Sequence, residues 1–209
     1  MPKPSSAYLI RISSRALGGE IIKAWMPEEL RIGVESTWDS PFSDVGSGLS
    51  GNLLSLGGVS LKTKSSSIQV WQGSSPIEMT LPLIFIAETN SSLEVVDPIV
   101  KLQQLTIPGL EKDGERFIPP GPSLFDLQKK AKQLVGLSSE TDKGTRGDLI
   151  TIRIGKFVEF RNVILTNVSS NFKLRMSPEG SPMEADAEVT FRTFTQQDKD
   201  SLAEMYGVI

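Results

Sequence analysis

The residues of this chain that could take part in chemistry are carboxylates and serines, because the sequence contains neither histidine nor cysteine. Histidine is the usual general base, metal ligand and pH switch of proteins, so its absence rules out a Ser-His-Asp or Cys-His site. The absence of cysteine rules out a thiolate metal site and disulfides. Catalysis by carboxylates alone is the chemistry that stays open.

Two groups of acidic residues could supply such chemistry. Glu28 and Glu29 are adjacent, and Glu184, Asp186 and Glu188 alternate along a strand-like segment. Paired carboxylates can act as acid and base on glycosides. Residues that alternate along a strand share one face, however, and a solvated polar face is the more common use of that pattern. We therefore expect no catalytic residues, and the protein is not expected to be an enzyme.

Serine chemistry is equally weakly supported. Ser50 lies in a Gly- and Ser-rich stretch that superficially resembles a nucleophile turn, but Asn52 occupies the position where that turn requires glycine. The sequence contains no phosphate loop, dinucleotide fingerprint, zinc spacing or calcium loop. We expect no cofactor and no metal.

Charge and hydropathy exclude two further classes of function. The chain carries 22 basic and 25 acidic residues, a net charge of −3, so specific nucleic-acid binding is not expected. The most apolar stretch, residues 81–87, contains Pro82 and is far shorter than the roughly 20 residues of a membrane-spanning helix. Arg11 interrupts the short apolar run near the N-terminus, so we expect no signal peptide and folding in a cytoplasm.

Apolar residues recur mainly at every second position, which is the period of a β-strand. The pattern predicts strands near residues 8–12, 30–34, 68–70 and 77–87, with Trp71 in the core. Pro82 lacks a backbone N–H, so the strand 77–87 should lie at an edge or carry a bulge. Residues 148–194 are predicted to form a four-strand meander with turns at 155–156 and 177–180. Ala185 and Ala187 indicate that something packs closely against its inner face.

Three helical segments are predicted. Asp97 as N-cap and Pro98 in the first turn predict a helix over residues 97–107. A second helical stripe lies within residues 109–147, which read as an insertion. A short C-terminal helix has Leu202 and Met205 as its apolar anchors, with Thr195 as a possible cap.

The segment 43–67 combines many glycines and serines with leucines. Gly/Ser tracts behave as flexible connectors, yet this one is too apolar for a plain linker. It is either a loop that becomes ordered against another surface or a mobile surface loop, and the sequence favours neither. Its apolar residues are candidate contacts: Leu49, Leu53, Leu54, Leu56 and Val59.

Several stretches together resemble a known family. They are MPEEL (26–30) with TW (37–38); IQVWQG (68–73), 77–87 and LEVVDP (93–98) with Leu102; and IRIG (152–155) with NV (162–163), GSPM (180–183) and AEVTF (187–191). The pattern resembles the tail-tube-fold proteins of contractile-tailed bacteriophages. Within them it is most similar to baseplate hub and tube-initiator proteins, including adaptors that often carry a LysM module. No such module follows the β-rich part of this sequence.

The resemblance implies a mainly β fold: a tail-tube-like β-barrel or sandwich of two packed antiparallel sheets with a flanking helix. Residues 1–209 would form a single tube-fold domain with a flexible Gly/Ser/Leu-rich loop at 43–67 and a helical insertion at 109–147. Six copies would form a ring, and a long loop would reach the next ring. The partners implied are further copies of this chain and the adjacent tail-tube, hub or spike, and baseplate proteins of the virion, with DNA passing through the lumen.

Edge strands are templates for pairing, and a closed ring satisfies them by symmetry. Candidate assembly contacts are therefore the segment 43–67, the strand 77–87 and the C-terminal helix, represented by Leu49, Leu53, Leu54, Leu56, Val59, Trp38, Leu83, Phe85, Leu202 and Met205. The alternative is a monomeric β-sandwich that binds carbohydrate or peptide. Aromatic residues clustered on one concave face would favour that alternative.

Overall fold

The computed structural model describes residues 6–40, 67–110, 114–123 and 149–207 of the chain. These residues belong to two compact units: Gly33–Ile77 form one, and Met1–Ile32 with Glu78–Ile209 form the other. The smaller unit includes the predicted loop at 43–67 and extends beyond it on both sides. Of that loop, residues 43–66 lie outside the described ranges.

Six antiparallel strands of the larger unit close into a barrel. In chain order the strands are β1 (Leu9–Ser13), β2 (Ile21–Trp25), β3 (Ser36–Asp39), β4 (Val70–Ser74), β5 (Glu78–Ile86), β6 (Gly109–Leu110), β7 (Phe117–Ile118), β8 (Ile150–Ile154), β9 (Val158–Phe172) and β10 (Glu184–Thr193). The order around the barrel is β1-β2-β5-β10-β9-β8, and β8 pairs with β1 to close it. The predicted mainly β fold is confirmed, as one closed barrel.

The barrel core follows from the two-residue period of its strands. In β10, Ala185, Ala187, Val189 and Phe191 are buried, and the residues between them face outward. Ala185 lies opposite Phe85 and Ala187 opposite Leu83 in β5, so a small side chain sits beside each large one. This alternation of sizes lets the interior side chains interdigitate. Phe160 and Phe191 meet edge to face, with ring centroids 5.0 Å apart.

The C-terminal meander has three strands where the sequence predicts four. The two segments predicted on either side of residue 162 are one strand, β9, whose register against β8 shifts between Ile150 and Ile152. Asn162 adopts a left-handed backbone conformation (φ 56°), and its carbonyl accepts a hydrogen bond from the N–H of Phe194 at 2.8 Å. Asparagine tolerates this conformation better than most residues. The chain therefore absorbs the irregularity within the strand and needs no turn.

Pairing between β2 and β5 is confined to a single position. β5 pairs with β10 from Glu78 to Ile86, whereas its described pairing with β2 is Trp25 opposite Ile84. Extending that register by two residues places Pro27 opposite Pro82. Neither proline has an N–H to donate, so the ladder cannot continue in that direction. The sequence predicts that the strand with Pro82 lies at an edge or carries a bulge, and this prediction is wrong: β5 lies between β2 and β10 in the closed barrel, in continuous register with β10. Pro82 is tolerated because the pairing with β2 does not extend to it.

The first long helix begins earlier than predicted. A π-helical turn over Ser92–Val96 leads directly into helix α1 (Asp97–Gln104). The side chain of Asn90 accepts a hydrogen bond from the N–H of Leu93 at 3.1 Å, so the cap is Asn90 and not Asp97. Pro98 lacks the N–H that an inner helical position would use, and the wide π turn precedes it. Ile99 and Leu102 are fully buried.

The short elements depart from the sequence pattern as well. Residues 30–34 form no strand; the strand lies at Ser36–Asp39 and pairs with β4. Trp71, predicted in the core, is 51% exposed. In the predicted insertion 109–147, β6 and β7 form a two-stranded sheet, and the predicted helical stripe lies outside the described residues. The strand predicted at 68–70 overlaps β4 only at Val70, and no layer in the described part of that unit covers β4.

The C-terminal helix is present as predicted. Helix α2 (Lys199–Met205) has Asp198 as its N-cap, where the sequence suggests Thr195; the Asp198 side chain accepts a hydrogen bond from the N–H of Ser201 at 2.7 Å. Met205 is buried. The helix is therefore anchored to the rest of the larger unit through the predicted apolar position.

Gly155 occupies a position that a side chain would not fit. It has φ 56°, and a Cβ atom there would lie 2.7 Å from the backbone oxygen of Ala7. We expect Gly155→Ala to lower the free energy of unfolding by more than the about 1–2 kcal/mol that a left-handed conformation alone costs. Gly18→Ala is the matched control, because Gly18 has φ 65° and open space around it. Urea denaturation of both variants measures the difference; equal losses would contradict the close contact.

Candidate functional site

The structure separates the predicted contact residues into three groups. Leu49, Leu53, Leu54, Leu56 and Val59 lie outside the described residues. Leu83 and Phe85 are buried in the barrel interior, at 0% and 1% exposure, so they belong to the core and cannot contact another chain. Met205 is buried and Leu202 half-buried on α2, while Trp38 is 58% exposed. The alternation of apolar and polar residues predicts that one face of the strand 77–87 is buried, but it does not show whether the apolar face meets the core or another chain.

The two-stranded ribbon of β3 and β4 presents an exposed aromatic pair. Trp38 lies opposite Trp71 in the register, after a bulge at Thr37. Directly opposite residues of an antiparallel pair place their side chains on the same face. Trp38 and Trp71 are 58% and 51% exposed, and Val70 beside them is 44% exposed. A ribbon of two strands is marginally stable alone in water, and an exposed aromatic pair on it is a candidate contact surface.

A second exposed apolar surface lies on the hairpin between β9 and β10. Phe172, Leu174 and Met176 follow one another at alternate positions and are 40%, 89% and 49% exposed. The hairpin continues beyond the two strands through a bridge between Met176 and Pro182 and a turn closed by Ser177 and Gly180. The sequence pattern places these apolar residues in phase with the core. The sequence signal that this segment extends into solvent is the pair of cations that flank Leu174, Lys173 and Arg175.

The acidic cluster predicted on the last strand is neutralised and spread along a face. Lys173 contacts Glu184 and lies 3.4 Å from Asp186. The pKa of Lys173 is raised, chiefly by its hydrogen bond to Glu184. Glu188 is exposed. The solvated-face interpretation accounts for these carboxylates, because a cation pairs with two of them in place of a substrate.

A groove opens where β2 and β5 diverge. It has a volume of ≈ 700 Å³ and is lined by β2, the end of β5 and the first turns of the helical segment. Ile21, Ile86 and Leu93 on its walls are 51%, 48% and 65% exposed. Its aromatic lining residues are Trp25, which is half-buried, and Phe85, which is in the core. The groove lies on the Ile21 and Ile86 side of the Trp25–Ile84 pair, away from Pro27 and Pro82, and periodicity alone does not predict it.

Charged residues tie the helical side of this groove to its β2 side. Lys101 on α1 contacts Glu20, which precedes β2, and lies 2.7 Å from Asp97 one helical turn earlier. The pKa of Lys101 is raised by its hydrogen bonds to Asp97 and Glu20. The side chains of Lys101, Glu20 and Asp97 are all solvent-accessible, so these ion pairs contribute little to the free energy of folding. Their main effect is to position α1 beside β2.

Glu94 caps the end of β5. Its carboxylate accepts hydrogen bonds from the Thr89 hydroxyl at 2.6 Å, the Thr89 N–H at 3.1 Å and the Glu88 N–H at 2.5 Å. These bonds, the hydroxyl bond first, lower the pKa of Glu94 below its ordinary value of 4.5. The carboxylate thereby satisfies backbone donors just beyond Ile86, where β5 ends.

A smaller polar hollow of ≈ 280 Å³ lies between β9 and α2. Glu159 in its wall receives hydrogen bonds from Arg161 and Arg153. Burial opposes ionisation of Glu159, but the two guanidinium groups outweigh it and lower the pKa of this carboxyl. The carboxylate of Glu159 is therefore ionised and paired within the protein.

In the described ranges, no group of three or more acidic side chains is arranged to hold a metal ion. Within the same ranges, no helix combines the length and apolarity needed to span a membrane. No protein-family model matches the sequence, and no curated protein has significant sequence similarity to it. The geometry of the surfaces therefore carries the functional argument.

The Glu94 cap predicts a pH dependence of stability. Because its folded pKa lies below the unfolded one, Glu94 contributes stability above pH 4.5 that is lost as pH falls through the folded pKa. We expect Glu94→Gln to cost about 1 kcal/mol at neutral pH and almost nothing at the acid end. Chemical denaturation at several pH values, with exposed Glu88→Gln as control, measures the difference. A pH-independent cost would contradict the ionised cap.

Proposed function

We propose that this protein is a structural virion protein of a contractile phage tail, forming a ring at the baseplate hub or tail tube that initiates or joins the tube. The protein would act through contacts with copies of itself and with neighbouring tail proteins. It would be assembled in the host cytoplasm and perform no catalytic step. The stretches that resemble tail-tube-fold proteins are one support for this proposal.

The observation that carries the proposal is the exposed Trp38–Trp71 pair on the β3–β4 ribbon. Burying an aromatic side chain contributes about 1.5–3 kcal/mol, so leaving two of them in solvent on a weak ribbon is unfavourable for a monomer. Tryptophan is also enriched at the energetic centres of protein interfaces. A partner surface that covers the pair would stabilise both the ribbon and the assembly.

The exposed stripe of Phe172, Leu174 and Met176 supports the proposal independently. It lies on a different hairpin, in the larger unit. A ring subunit needs two different patches, since each copy contacts one neighbour on either side. The ribbon and the stripe supply two such patches in one chain.

The groove between β2 and β5 favours a second candidate function, a monomeric module that binds carbohydrate or peptide. Its volume is in the range of ligand sites. Carbohydrate platforms use exposed aromatic faces, and the groove's aromatic residues are half-buried or in the core. A peptide is therefore the better-matched ligand under this alternative.

Native mass spectrometry of the purified protein, alone and with tail partners, tests the proposal. We expect a species near six chains of 22.8 kDa. The double variant Trp38→Ser/Trp71→Ser should fall to monomer while its circular dichroism stays that of the folded barrel. Phe157→Ser is the matched control, because Phe157 is 49% exposed against 51% for Trp71.

A wild-type protein that stays monomeric at all concentrations and with its partners would reject the ring. A ring that survives the double tryptophan substitution would instead show that the ribbon is not its interface.

A further inference from the structure

Strand β2 has a free edge on the side that faces the groove. Its pairing with β1 and the hydrogen bond from the Met26 N–H to the Tyr8 carbonyl, at 3.0 Å, set which residues of β2 bond toward β1. Bonding directions alternate in an antiparallel ladder, so the backbone groups of Ile21 and Lys23 point away from β1 and toward β5. In the described part of the chain, β5 pairs with β2 only at Trp25, and no strand pairs with these two residues on that side.

The facing edge of β5 is open in the same way. The Ala87 N–H donates to the Met183 carbonyl at 2.9 Å, so the adjacent Ile86 directs its backbone groups away from β10 and toward β2. Within the described ranges, pairing of β5 with β2 is confined to Ile84 and does not reach Ile86. A strand edge of this kind is a template for pairing with another chain. Backbone groups without a strand partner therefore border the groove on both sides.

An added strand would meet different side chains on its two faces. Ile21 and Ile86 face outward in the groove and are about half exposed, whereas Ala24 and Phe85 of the groove lining face the core. Opposite residues of paired strands lie on the same face, so alternate residues of an added strand would meet these two surfaces in turn. Long basic side chains suit the outer face, because their apolar stems can cover exposed aliphatic residues while their charged ends stay in water.

The charges of the groove also indicate a basic ligand. Four carboxylates and two lysines line it: Glu20, Glu88, Glu94, Asp97, Lys23 and Lys101. Lys101 is already paired with Glu20 and Asp97, and the lining keeps an excess of two negative charges. Complementary charge steers association and suppresses wrong partners. The groove is therefore matched to a segment that is extended, basic on one face and apolar on the other.

We propose that the groove binds an extended basic peptide segment of a partner protein as a strand added to the free edge of β2. Lysine or arginine side chains of the segment lie over Ile21 and Ile86 and meet the carboxylates, and its apolar side chains face the inner side of the groove. This proposal names the ligand class and the binding mode that the peptide alternative above leaves open. It goes beyond the ring, because a ring subunit and a monomer would both carry this site.

Fluorescence anisotropy with synthetic peptides tests the proposal. The probe is a short fluorescent peptide in which lysine and valine alternate, and its charge control has glutamate in place of every lysine. Two further peptides keep the lysine–valine sequence but are N-methylated at every lysine or at every valine, so each lacks the N–H donors of one strand edge. We expect saturable binding of the probe, several-fold weaker binding of the glutamate peptide, and several-fold weaker binding of at least one N-methylated peptide.

A substitution in β2 tests the free edge directly. Ile21→Pro removes an N–H directed toward the groove and no bond of the β1–β2 ladder, and proline is tolerated at the first residue of a strand. Ile21→Val is the matched control, because valine is close to proline in size and keeps the N–H. We expect Ile21→Pro to bind the lysine–valine peptide roughly fivefold more weakly than Ile21→Val, as the loss of one hydrogen bond predicts. Circular dichroism checks that both variants are folded.

The charge argument has an arm that leaves β2 unchanged. Glu88→Lys should weaken binding of the lysine–valine peptide and strengthen binding of the glutamate–valine peptide, most strongly at low salt. The matched control is Glu179→Lys, because Glu179 is also exposed and lies outside the groove lining. We expect this control to have a much smaller effect on both peptides.

No saturable binding of the lysine–valine peptide would overturn the proposal. Equal affinities of the unmodified and both N-methylated peptides would reject strand addition, and equal effects of the two charge reversals would reject the groove as the site. Native mass of the untreated protein separates this proposal from the ring. A monomer that binds the probe rejects the ring alone, whereas a ring that binds none of the peptides rejects the groove site alone.

Discussion

Every backbone N–H buried in the barrel needs an acceptor, and this requirement organises the molecule. Five of the six strand junctions meet it with extended ladders. The sixth, between β2 and β5, is confined to Trp25 opposite Ile84. Pro27 and Pro82 have no N–H to extend it in one direction, and in the other direction the two strands diverge at the groove. The groove, the free edge of β2 and the capping role of Glu94 all lie at this one interrupted junction.

Exposed apolar residues lie on the β3–β4 ribbon, on the β9–β10 hairpin and along the groove, while several charges on the barrel wall are paired. Arg192 pairs with Glu78 across β10 and β5 at 2.5 Å, and Arg153 pairs with Glu159 across β8 and β9. Such pairs place opposite charges on neighbouring strands and neutralise this part of the outer wall. Under the proposed function, the ribbon and the hairpin are the surfaces that a partner would cover.

Sequence periodicity predicted the strand segments well, because a half-buried strand must alternate apolar and polar residues. It predicted the barrel strands at 8–12, 77–87 and 150–154. It failed where the burial of a strand depends on whether another part of the fold covers it, because the residue pattern of the strand does not show this. Trp71 alternates as a core residue would, yet it lies on a ribbon that no described layer covers.

The candidate site was less predictable for the same reason. Leu83 and Phe85 were chosen as contacts because they lie on a strand with an edge, but side-chain direction, not edge position, decides whether a residue is accessible. Phe172, Leu174 and Met176 were missed because their spacing is that of core residues. Two stretches can have the same apolar pattern although only one of them extends beyond its sheet. Strand length decides which one does, and strand length depends on the tertiary structure.

The length of β9 has a mechanical consequence. Val158–Phe172 is one strand, without glycine or proline, that runs from the barrel into the base of the β9–β10 hairpin. Its pairing with β10 continues from Val163 to Phe172, with a register shift opposite Thr190 and Phe191. A force applied at the hairpin tip along the strand is opposed by this ladder in shear, so its bonds share the load instead of opening one after another.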